Sequence, residues 1–380
     1  MHPAIHARNT PDKPAYIMAG SGRVVSYREL DELSNRGAQL FRGLGLKAGD
    51  HIAILMENNA EYMTVCWAAQ RSGLIYTAIA THLQADEVAY IVSDCDALLL
   101  IASNTLAAVA VAAAGKAPAL RHRLMVDGAV AGFASFERLR DEQPATPIAD
   151  ECAGVDMLYS SGTTGRPKGI SVQFNASDIT AMLPALQGLV EKFNFDAQTV
   201  YLSPAPLYHA APLRYNMMTM FVGGTAIIME KFDAQRALEL IAHYRVTHSQ
   251  WVPIMFSRML ALPDAVRGSV DVSSMRHAIH AAAPCPISVK EAMIAWWGPV
   301  IDEYYSSTET VGVTAITSAQ WLAHKGSVGR AIVGVAHIVD EATGAELPAG
   351  EVGTLYFSDG PNVSYHKAPQ KTAEIGRAHV

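Results

Sequence analysis

The chain has 380 residues, of which 50% are hydrophobic and 17% are charged, and its formal net charge is −7. This length is too great for one ordinary core, so we expect two or three packed subdomains of a globular protein. The composition lies far from that of disordered, collagenous or coiled-coil chains. The acidic balance argues against nucleic acid as a partner, because phosphate backbones are bound by clustered lysines and arginines.

The four cysteines, Cys66, Cys95, Cys152 and Cys285, lie far apart and form no CxxC pair. Their spacing suggests neither a zinc site nor a disulfide framework, and reduced thiols of a cytoplasmic protein are expected. The N-terminal segment lacks the apolar centre of a signal peptide, and no run reaches the roughly eighteen apolar residues of a membrane span. The most apolar run, residues 107–114, predicts a surface-packed helix. We therefore expect no transmembrane segment.

In chain order, the first element with clear signals is a helix that follows Ser26 and runs to about Leu44. Ser26 can cap this helix, and Glu29 stands three residues later, as a capping box requires. The Gly43-Leu-Gly45 that follows resembles a dinucleotide-binding loop, but such a loop must follow a strand. We interpret these glycines as a helix stop and a turn.

Short apolar or β-branched runs alternate with helical stretches along most of the chain, which favours parallel sheets with crossover helices. A first α/β segment is followed by a second one that begins near Cys152. From Gly326 onward, glycine-punctuated runs around a Thr343-Gly344 turn predict a small β region. The predicted strands are 51–55, 75–80, 97–102, 123–126, 157–159, 199–202, 225–229, 247–252, 276–281, 300–304, 336–339 and 353–357.

The expected fold class is α/β, with two mostly parallel sheets, flanking helices and a small, incomplete β subdomain. We assign residues 1–150 to a first α/β subdomain and residues 151–325 to a second one. Residues 326–374 form the partial β subdomain in this division.

Residues 159–169, YSSGTTGRPKG, carry the strongest chemical signal in the chain. Glycines let a backbone approach an anion, hydroxyls and amides donate hydrogen bonds to it, and lysine supplies charge. The string is not a Walker loop, because that motif requires Gly-Lys followed by Ser or Thr. We interpret it as a phosphate cradle, with a solvated flexible turn as the alternative. The residues concerned are Ser160, Ser161, Gly162, Thr163, Thr164, Gly165 and Lys168.

This string resembles the signature loop of the adenylate-forming superfamily, which includes acyl-CoA synthetases, luciferases and peptide-synthetase adenylation domains. Residues 305–309, YSSTE, resemble the aromatic-x-x-Thr-Glu motif of the same superfamily. The resemblance implies that Tyr305 lies against adenine, that Thr308 meets the α-phosphate with Ser306 beside it, and that Glu309 holds Mg²⁺. An aromatic face, a hydroxyl donor and a hard oxygen suit these roles. A strand that runs into a polar turn is the alternative for this segment alone.

Residues 280–284, HAAAP, resemble the family segment that lines adenine and one wall of the acyl tunnel. The resemblance implies nucleotide contacts for Ala282, Ala283 and Pro284. The family often has glycine where Ala281 or Ala282 stands, and this departure would narrow the pocket.

Residues 206–209, PLYH, resemble the family motif near the acyl carboxylate. The resemblance implies that His209 guides the carboxylate and the adenylate and joins Lys168, Thr308 and Glu309 in the catalytic set. A lone histidine is more often a structural hydrogen-bonding group than a catalytic base, so a site-lining role is expected.

The implied activity is that of an acyl-CoA synthetase, which uses ATP, Mg²⁺ and CoA to convert a carboxylic acid to acyl-AMP and then to acyl-CoA. Peptide-synthetase domains carry an aspartate for the substrate amine where this chain has Tyr208-His209, so an amino-acid substrate is disfavoured. A fatty, aromatic or steroid side-chain acid stays open. The apolar tunnel candidates, each equally interpretable as core, are Leu213, Met217, Met218, Trp251, Val252 and Val311.

Other functions also remain open at this point. A luciferase-like enzyme or an acyl-AMP ligase would share every motif named, and a non-catalytic nucleotide-binding module would bind ATP without releasing pyrophosphate. Residues 122–127 match an acyltransferase-like HxxxxD string, but they lie across a predicted strand, so we attach no function to the match. The oligomeric state, including a homo-oligomer, stays open.

The resemblance also implies a ribose-binding aspartate motif, a hinge and a mobile C-terminal lid with a catalytic lysine, and none of these is present in the 380 residues. Residues 375–380, IGRAHV, depart from the family pattern and read like the translation of a common sequencing adapter. We therefore expect a longer native protein and little turnover from this chain alone, because the lid supplies the lysine for adenylation and rotates for thioester formation.

Overall fold

The structure is a computed structural model of the chain, and it describes residues 2–160, 166–171, 174–182, 184–372 and 377–378. Of residues 184, 185, 377 and 378 it describes the backbone alone. The chain divides into two compact units, Met1–Phe232 and Asp233–Val380.

Strands and helices alternate through much of the described part of the first unit, and a short 3₁₀ helix, Asn104–Leu106, precedes its fifth helix. Its elements are α1 Pro3–Asn9, β1 Pro14–Met18, β2 Val24–Ser26, α2 Tyr27–Gly43, β3 His51–Leu55, α3 Glu61–Arg71, β4 Ile75–Ala78, α4 Ala85–Asp94, β5 Ala97–Ser103, α5 Ala107–Ala114, β6 His122–Val126, β7 Ala134–Ser135, α6 Phe136–Asp141, β8 Val155–Asp156, β9 Tyr159–Ser160, β10 Lys168–Ser171, α7 Pro184–Lys192, β11 Val200–Ser203, α8 Ala210–Val222 and β12 Thr225–Ile228.

A six-stranded sheet with the order β7-β6-β5-β3-β4-β8 forms one part of the first unit. Every adjacent pair in it is parallel, and Ile52 of β3 stands opposite Tyr76 of β4 and Leu99 of β5. The central strands read as nearly continuous apolar runs, as expected for a sheet that is covered on both faces. The strands predicted at 51–55, 75–80, 97–102 and 123–126 are confirmed to within two residues.

Helices α4 and α5 cover part of this sheet with apolar side chains. Val88 and Val92 of α4 and Ala110 and Ala113 of α5 are buried in the same core cluster as Leu100 of β5. The alanine-rich run therefore forms a packed surface helix, as predicted. Small side chains on α5 let the helix lie close to its neighbours, since alanine has no side-chain bulk to accommodate.

Helix α2 begins and ends where the sequence predicted. The Ser26 hydroxyl accepts a hydrogen bond from the backbone N–H of Glu29 at 3.2 Å. The Glu29 carboxylate pairs with Arg23 instead of completing a capping box. Gly45 follows the helix with φ +84°, a left-handed conformation that glycine adopts without strain, so the helix-stop interpretation is confirmed.

The predicted strand 157–159 is divided between two sheets. The N–H of Met157 donates to the carbonyl of Tyr76 on the β4 side, whereas the carbonyl of Leu158 accepts from Ile170 on the β10 side. Strand β9 then pairs with β10 as an antiparallel hairpin. The prediction of one continuous strand was wrong, because the chain exchanges one hydrogen-bonding neighbour for another within two residues.

The remaining strands of the first unit pair as β11-β12-β1-β2, with parallel β11–β12 and β12–β1 pairs and an antiparallel β1–β2 pair. Helix α8 connects β11 to β12. The helix ends at Gly223, whose φ of +90° gives the left-handed C-cap that glycine favours.

The second unit begins with parallel strands and continues into antiparallel ones. Its elements are α9 Ala234–Tyr244, β13 His248–Trp251, α10 Pro253–Leu260, α11 Asp264–Gly268, β14 His277–His280, α12 Ile287–Trp297, β15 Ile301–Ser306, β16 Val313–Ile316, α13 Ser318–Ala323, β17 Arg330–Val333, β18 Val335–Val339, β19 Thr354–Ser358, β20 Ser364–Tyr365, α14 Pro369–Thr372 and β21 Arg377–Ala378.

Strands β13, β14 and β15 of the second unit are parallel neighbours, and β16 and β17 add antiparallel pairs after them. A separate antiparallel sheet contains β18, β19 and β21, and Asp340 caps its turn by accepting from the N–H of Thr343 at 2.8 Å. The α/β fold class with mostly parallel sheets, flanking helices and a small β region is confirmed. The division into subdomains 1–150, 151–325 and 326–374 remains a proposal.

None of the helices within the ranges described above is both long enough and apolar enough to cross a membrane.

Candidate active site

The two ends of the predicted phosphate cradle lie side by side in the β9–β10 hairpin. Ser160 and Lys168 are cross-strand partners, and both side chains are half-buried. This pairing brings one predicted hydroxyl donor and the predicted phosphate lysine together at the base of the loop. The other predicted members, Ser161, Gly162, Thr163, Thr164 and Gly165, lie outside the described residues.

Helix α4 fixes this hairpin through three contacts. The Tyr159 hydroxyl donates to Asp94 Oδ2 at 2.6 Å, and the Tyr90 hydroxyl donates to the carbonyl of Pro167 at 3.1 Å. The Arg166 guanidinium lies 5.2 Å from the centre of the Tyr90 ring. Burial, together with the neighbouring Asp94, raises the pKa of Tyr159, so its hydroxyl stays protonated as a donor. The sequence analysis did not identify this support, although Tyr90 and Asp94 are spaced i, i+4 on one helix face.

His209 is the N-cap residue of α8, and its ring lies 4.6 Å from that of Tyr208. Burial, and secondarily the nearby His82, lowers the pKa of His209. The imidazole is therefore neutral at neutral pH and can orient a carboxylate by contact and hydrogen bonding without carrying a charge.

A cavity of about 210 Å³ lies in the first unit along one face of α8. Two of the predicted tunnel residues, Met217 and Met218, line it, whereas Leu213 is fully buried and is not among the lining residues. Trp251, Val252 and Val311 belong to the second unit. The apolar walls are formed mainly by Trp67, Tyr76, Leu186, Met217, Met218 and Phe221.

Three polar residues in this cavity wall, Arg214, Asp156 and Gln70, were missed by the sequence analysis. Arg214 of α8 pairs with Asp156 of β8 through Nη2 and Oδ2 at 2.9 Å, and Gln70 of α3 also faces the cavity. A charged residue inside the apolar string GVDML was the available signal for Asp156, since an acidic side chain is rarely buried without a partner.

In the second unit, both predicted nucleotide segments follow strands that are adjacent in the sheet. Residues 281–284 follow β14, and the last strand residue of β15 is Ser306. Because β14 and β15 are parallel, their carboxyl ends lie at the same edge, which is where ligands bind in open α/β sheets. The structure therefore brings together Ala282, Ala283 and Pro284 with Tyr305, Ser306, Thr308 and Glu309 at one edge of this unit.

Ala282 has φ +76°, in the left-handed region that favours glycine. A side chain at this position carries backbone strain, because the Cβ approaches the neighbouring peptide. The sequence-based concern about an alanine in place of the family glycine therefore has a local structural counterpart at Ala282.

The segment after β15 folds into a tight turn. The Ser306 hydroxyl donates to the carbonyl of Gly312 at 2.9 Å, and the N–H of Thr310 donates to the carbonyl of Ser307 at 3.0 Å. Tyr305, Thr308 and Glu309 are half-buried around this turn, so their side chains remain partly accessible. The polar turn that was the alternative interpretation is present, and it displays the predicted side chains.

Glu309 accepts a hydrogen bond from the Tyr365 hydroxyl, whose oxygen lies 2.7 Å from Oε1. Burial and this carboxylate raise the pKa of Tyr365, so the tyrosine acts as the donor. The part of the chain that the structure describes contains no group of three or more His, Cys, Asp and Glu residues able to hold a metal ion. Glu309 thus presents one carboxylate whose orientation is held by Tyr365.

A sequence model of the AMP-binding enzyme family matches residues 4–365. The chain belongs to this family. It is 28% identical over 385 residues to a fatty acid–[acyl-carrier-protein] ligase, ScoC, of Streptomyces coeruleorubidus, which covers 98% of this chain and 71% of the relative. It is also 28% identical over 372 residues to the long-chain-fatty-acid–CoA ligase FadD13 of Mycobacterium tuberculosis, covering 96% and 71%.

The chain is also similar to a crotonobetaine/carnitine–CoA ligase of Escherichia coli. The two are 27% identical over 384 residues, and the alignment covers 96% of this chain and 72% of the relative. The relatives named are all ligases, which supports ligase activity for this family member. Each of them joins an acid to CoA or to an acyl-carrier protein, according to its name.

Solved structures agree with the fold. ATP-bound MatB of Rhodopseudomonas palustris superimposes with a TM-score of 0.79 at 27% identity, covering 98% of this chain and 74% of that one. The N-terminal domain of FACL13 from Mycobacterium tuberculosis gives a TM-score of 0.83 at 24% identity, covering 100% and 94%. At 24% identity, the likeness to FACL13 concerns the fold alone.

Proposed function

We propose that this protein activates a carboxylic acid with ATP, first to acyl-AMP with release of pyrophosphate, and then to acyl-CoA with release of AMP. The single observation that carries the proposal is the position of residues 281–284 and 306–309 after the adjacent parallel strands β14 and β15. Ligand-binding loops of α/β sheets occupy this edge, and the two segments carry the residue types that a nucleotide needs.

In the proposed nucleotide site, the Tyr305 ring lies against adenine, and Thr308 donates a hydrogen bond to the α-phosphate. Residues 282–284 form the wall beside the base. Partial exposure of Tyr305 and Thr308 supports these roles, because each side chain is reachable by a ligand. Backbone and hydroxyl donors of this kind stabilise charge that develops on phosphoryl oxygens.

Glu309 is the proposed magnesium ligand. Mg²⁺ usually takes one or two carboxylates and completes its shell with substrate phosphates and water, so one accessible carboxylate fits this ion better than it fits a metal with an all-protein cage. The hydrogen bond from Tyr365 to Oε1 orients the carboxylate and leaves Oε2 available. When bound, the ion neutralises negative charge on the triphosphate.

Lys168 is proposed to steady the leaving pyrophosphate, and His209 to orient the acid. A carboxylate oxygen of the acid attacks the α-phosphorus, and the bond from that phosphorus to the bridging oxygen of pyrophosphate breaks. The CoA thiol, as thiolate, then attacks the acyl carbon, and AMP leaves with the bonding electron pair. Both steps depend mainly on positioning and charge stabilisation.

The acid is proposed to extend from His209 into the cavity along α8. Met217 and Met218 give this cavity an apolar face, which suits a fatty, aromatic or steroid side chain. The names of ScoC and FadD13 support a fatty acid, and CoA is the proposed acceptor with an acyl-carrier protein as the alternative. An acyl-AMP ligase or luciferase-like enzyme is the second candidate, because it uses the same adenylation site.

The test is acid-dependent pyrophosphate release across fatty, aryl and steroid acids. It is run on the 380-residue chain and on the product of the complete open reading frame amplified from its source. We expect release with at least one acid class and its loss in Lys168→Ala and Glu309→Ala, whereas Lys116→Ala, which removes an exposed lysine paired with Asp86, leaves release unchanged. We also propose that the 380-residue chain alone turns over slowly. A cytoplasmic location is part of the same proposal.

Mg·ATP binding is measured on the same samples by calorimetry, so that binding and turnover are scored separately. Binding by the complete product without pyrophosphate release for any acid would favour a non-catalytic nucleotide module. Release that stops at acyl-AMP, with no thioester when CoA is added, would favour the acyl-AMP ligase. Absence of ATP binding in both proteins would contradict the proposal.

A further inference from the structure

The cavity along α8 has mainly apolar walls, and its polar lining residues are Gln70, Asp156, Asn175, Ser177 and Arg214. Arg214 of α8 and Gln70 of α3 both line it, among residues such as Trp67, Met217 and Phe221. An apolar pocket with a few placed polar groups usually uses those groups to select and orient its ligand. Their chemistry therefore indicates which acids fit.

Arg214 is held in the wall by Asp156. Its Nε and Nη2 lie 3.0 and 2.9 Å from Asp156 Oδ2. Both residues line the cavity, and the Arg214 side chain is 24% exposed whereas the Asp156 side chain is 7% exposed, so the guanidinium is the more accessible member of the pair. The pair has no net charge, which makes the wall polar without making it strongly attractive to an anion.

Gln70 presents a second donor to the same cavity. His2 Nδ1 accepts from the N–H of Ala4 at 3.1 Å, so the proton of the neutral ring is on Nε2, which donates to Gln70 Oε1 at 3.0 Å. Burial lowers the pKa of His2 to about 3, which keeps the ring neutral. This bond fixes the orientation of the Gln70 amide, with its Nε2 as the remaining polar end.

The Gln70 Nε2 makes no hydrogen bond to any residue within the described ranges, and it is not a fully buried atom, so it is reachable from the cavity. Water can satisfy such a donor while the cavity is empty, and a ligand that displaces this water must replace its hydrogen bond. Because the side chain lines the cavity, a ligand oxygen there would satisfy it.

Arg214 follows His209 by five residues on α8, which corresponds to roughly 7 Å along the helix axis. If His209 orients the acid carboxylate, the polar part of the cavity lies away from the reacting end of the substrate. This step rests on the proposed function.

We propose that the cavity selects a carboxylic acid that carries a neutral oxygen acceptor, a ketone or a hydroxyl group, remote from its carboxylate. The oxygen accepts hydrogen bonds from Arg214 and Gln70. A plain alkyl chain would cover these donors without satisfying them, and a second carboxylate would be repelled by Asp156. The substrate class is thus an oxygenated acid with an otherwise apolar body.

The test is calorimetric binding of three matched acids to the 380-residue chain. The probes are decanoic acid, a set of oxo-decanoic acids with the ketone at different carbons, and decanedioic acid. We expect one or more oxo-acids to bind about tenfold more tightly than decanoic acid, as a hydrogen bond to a charged donor allows, and decanedioic acid to bind more weakly than that oxo-acid.

Two variants identify the donors. Gln70→Leu removes the amide, and Arg214→Met/Asp156→Leu removes both charges without leaving either one unpaired. We expect each to reduce the preference for the oxo-acid to less than about threefold. Arg140→Met is the control, because Arg140 forms buried ion pairs with Glu61 and Asp141 outside the cavity. We expect this variant to retain the preference for the oxo-acid. Circular dichroism checks that each variant is folded.

Equal binding of decanoic and oxo-decanoic acids, tightest binding of decanedioic acid, or a preference that survives both variants would overturn the proposal. Binding of none of the acids would overturn it too. The result is separable from the proposed function. A preference for an oxo-acid without pyrophosphate release would support the proposed selectivity of the cavity and contradict the proposed activity. Pyrophosphate release without that preference would support the activity and contradict the selectivity.

Discussion

Lys290 Nζ donates a hydrogen bond to Glu303 Oε2 at 2.5 Å, and the lysine side chain is fully buried. The ammonium also lies 4.9 Å from the centre of the Trp321 ring. This pair joins α12 to β15, and Glu303 stands two residues before Tyr305, the proposed adenine contact. The strand that carries the nucleotide segment is therefore attached to its neighbouring helix by a buried charge pair.

Breaking this pair on one side should destabilise the second unit. Lys290→Met leaves the Glu303 carboxylate buried without its partner, and we expect a loss of about 3–5 kcal/mol. Lys290→Met/Glu303→Leu should recover most of that loss, because no unpaired charge remains. Urea unfolding, followed by fluorescence, measures the free energy of unfolding of the single and the double variant. As a matched control, Lys325→Met breaks the exposed pair with Glu291 and should cost no more than about 1 kcal/mol. Equal effects of the two single variants would contradict this prediction.

Ala282→Gly should stabilise the protein. The φ of +76° at Ala282 is strained for an L-residue with a Cβ, and glycine relieves this strain by about 1 kcal/mol or more, less the extra entropy that it adds to the unfolded chain. Thermal unfolding should show a higher Tm. Ala283→Gly, at the next position, is the control and should lower stability, since no positive φ is present there to relieve. A lower Tm for Ala282→Gly would refute the strain argument.

His280 should make the protein less stable as the pH falls. Burial, and then the charge of Lys290, lowers the pKa of His280 from 6.5 to about 3. Below pH 6.5 the unfolded chain binds a proton that the folded imidazole does not, so stability is lost as the pH falls from 6.5 toward 3, by about 1.4 kcal/mol per pH unit.

Urea unfolding at several pH values tests this assignment. His280→Gln should lose stability less steeply on acidification than the parent protein does. His324→Gln replaces an exposed histidine and should leave the slope unchanged. If His280→Gln has the slope of the parent protein, His280 is not the group responsible.

Tyr365→Phe should weaken Mg·ATP binding without unfolding the protein. The Tyr365 hydroxyl orients Glu309, and loss of such a partner typically reduces metal affinity by about tenfold or more. Calorimetric titration of Mg²⁺ in the presence of ATP measures the change. Tyr356→Phe on β19 is the control, because its hydroxyl makes no hydrogen bond with Glu309. An unchanged Mg²⁺ affinity in Tyr365→Phe would show that the hydrogen bond does not serve the metal ligand.

Local patterns in the sequence determined the elements and the candidate motifs. The Ser26 cap, the left-handed Gly45 and the apolar strand of β3 depend on neighbours within a few residues, which are visible in the sequence. The same holds for the position of Tyr305 to Glu309 after a strand. These features follow from periodicity, capping and turn preferences.

Tertiary structure alone decided which distant side chains meet. Asp156 and Arg214 are 58 residues apart, His2 and Gln70 are 68 apart, and Glu309 and Tyr365 are 56 apart. The division of residues 155–160 between two sheets has the same origin. Partners at such distances are selected by packing and by the need to satisfy buried polar groups, and no local pattern in one sequence encodes that selection.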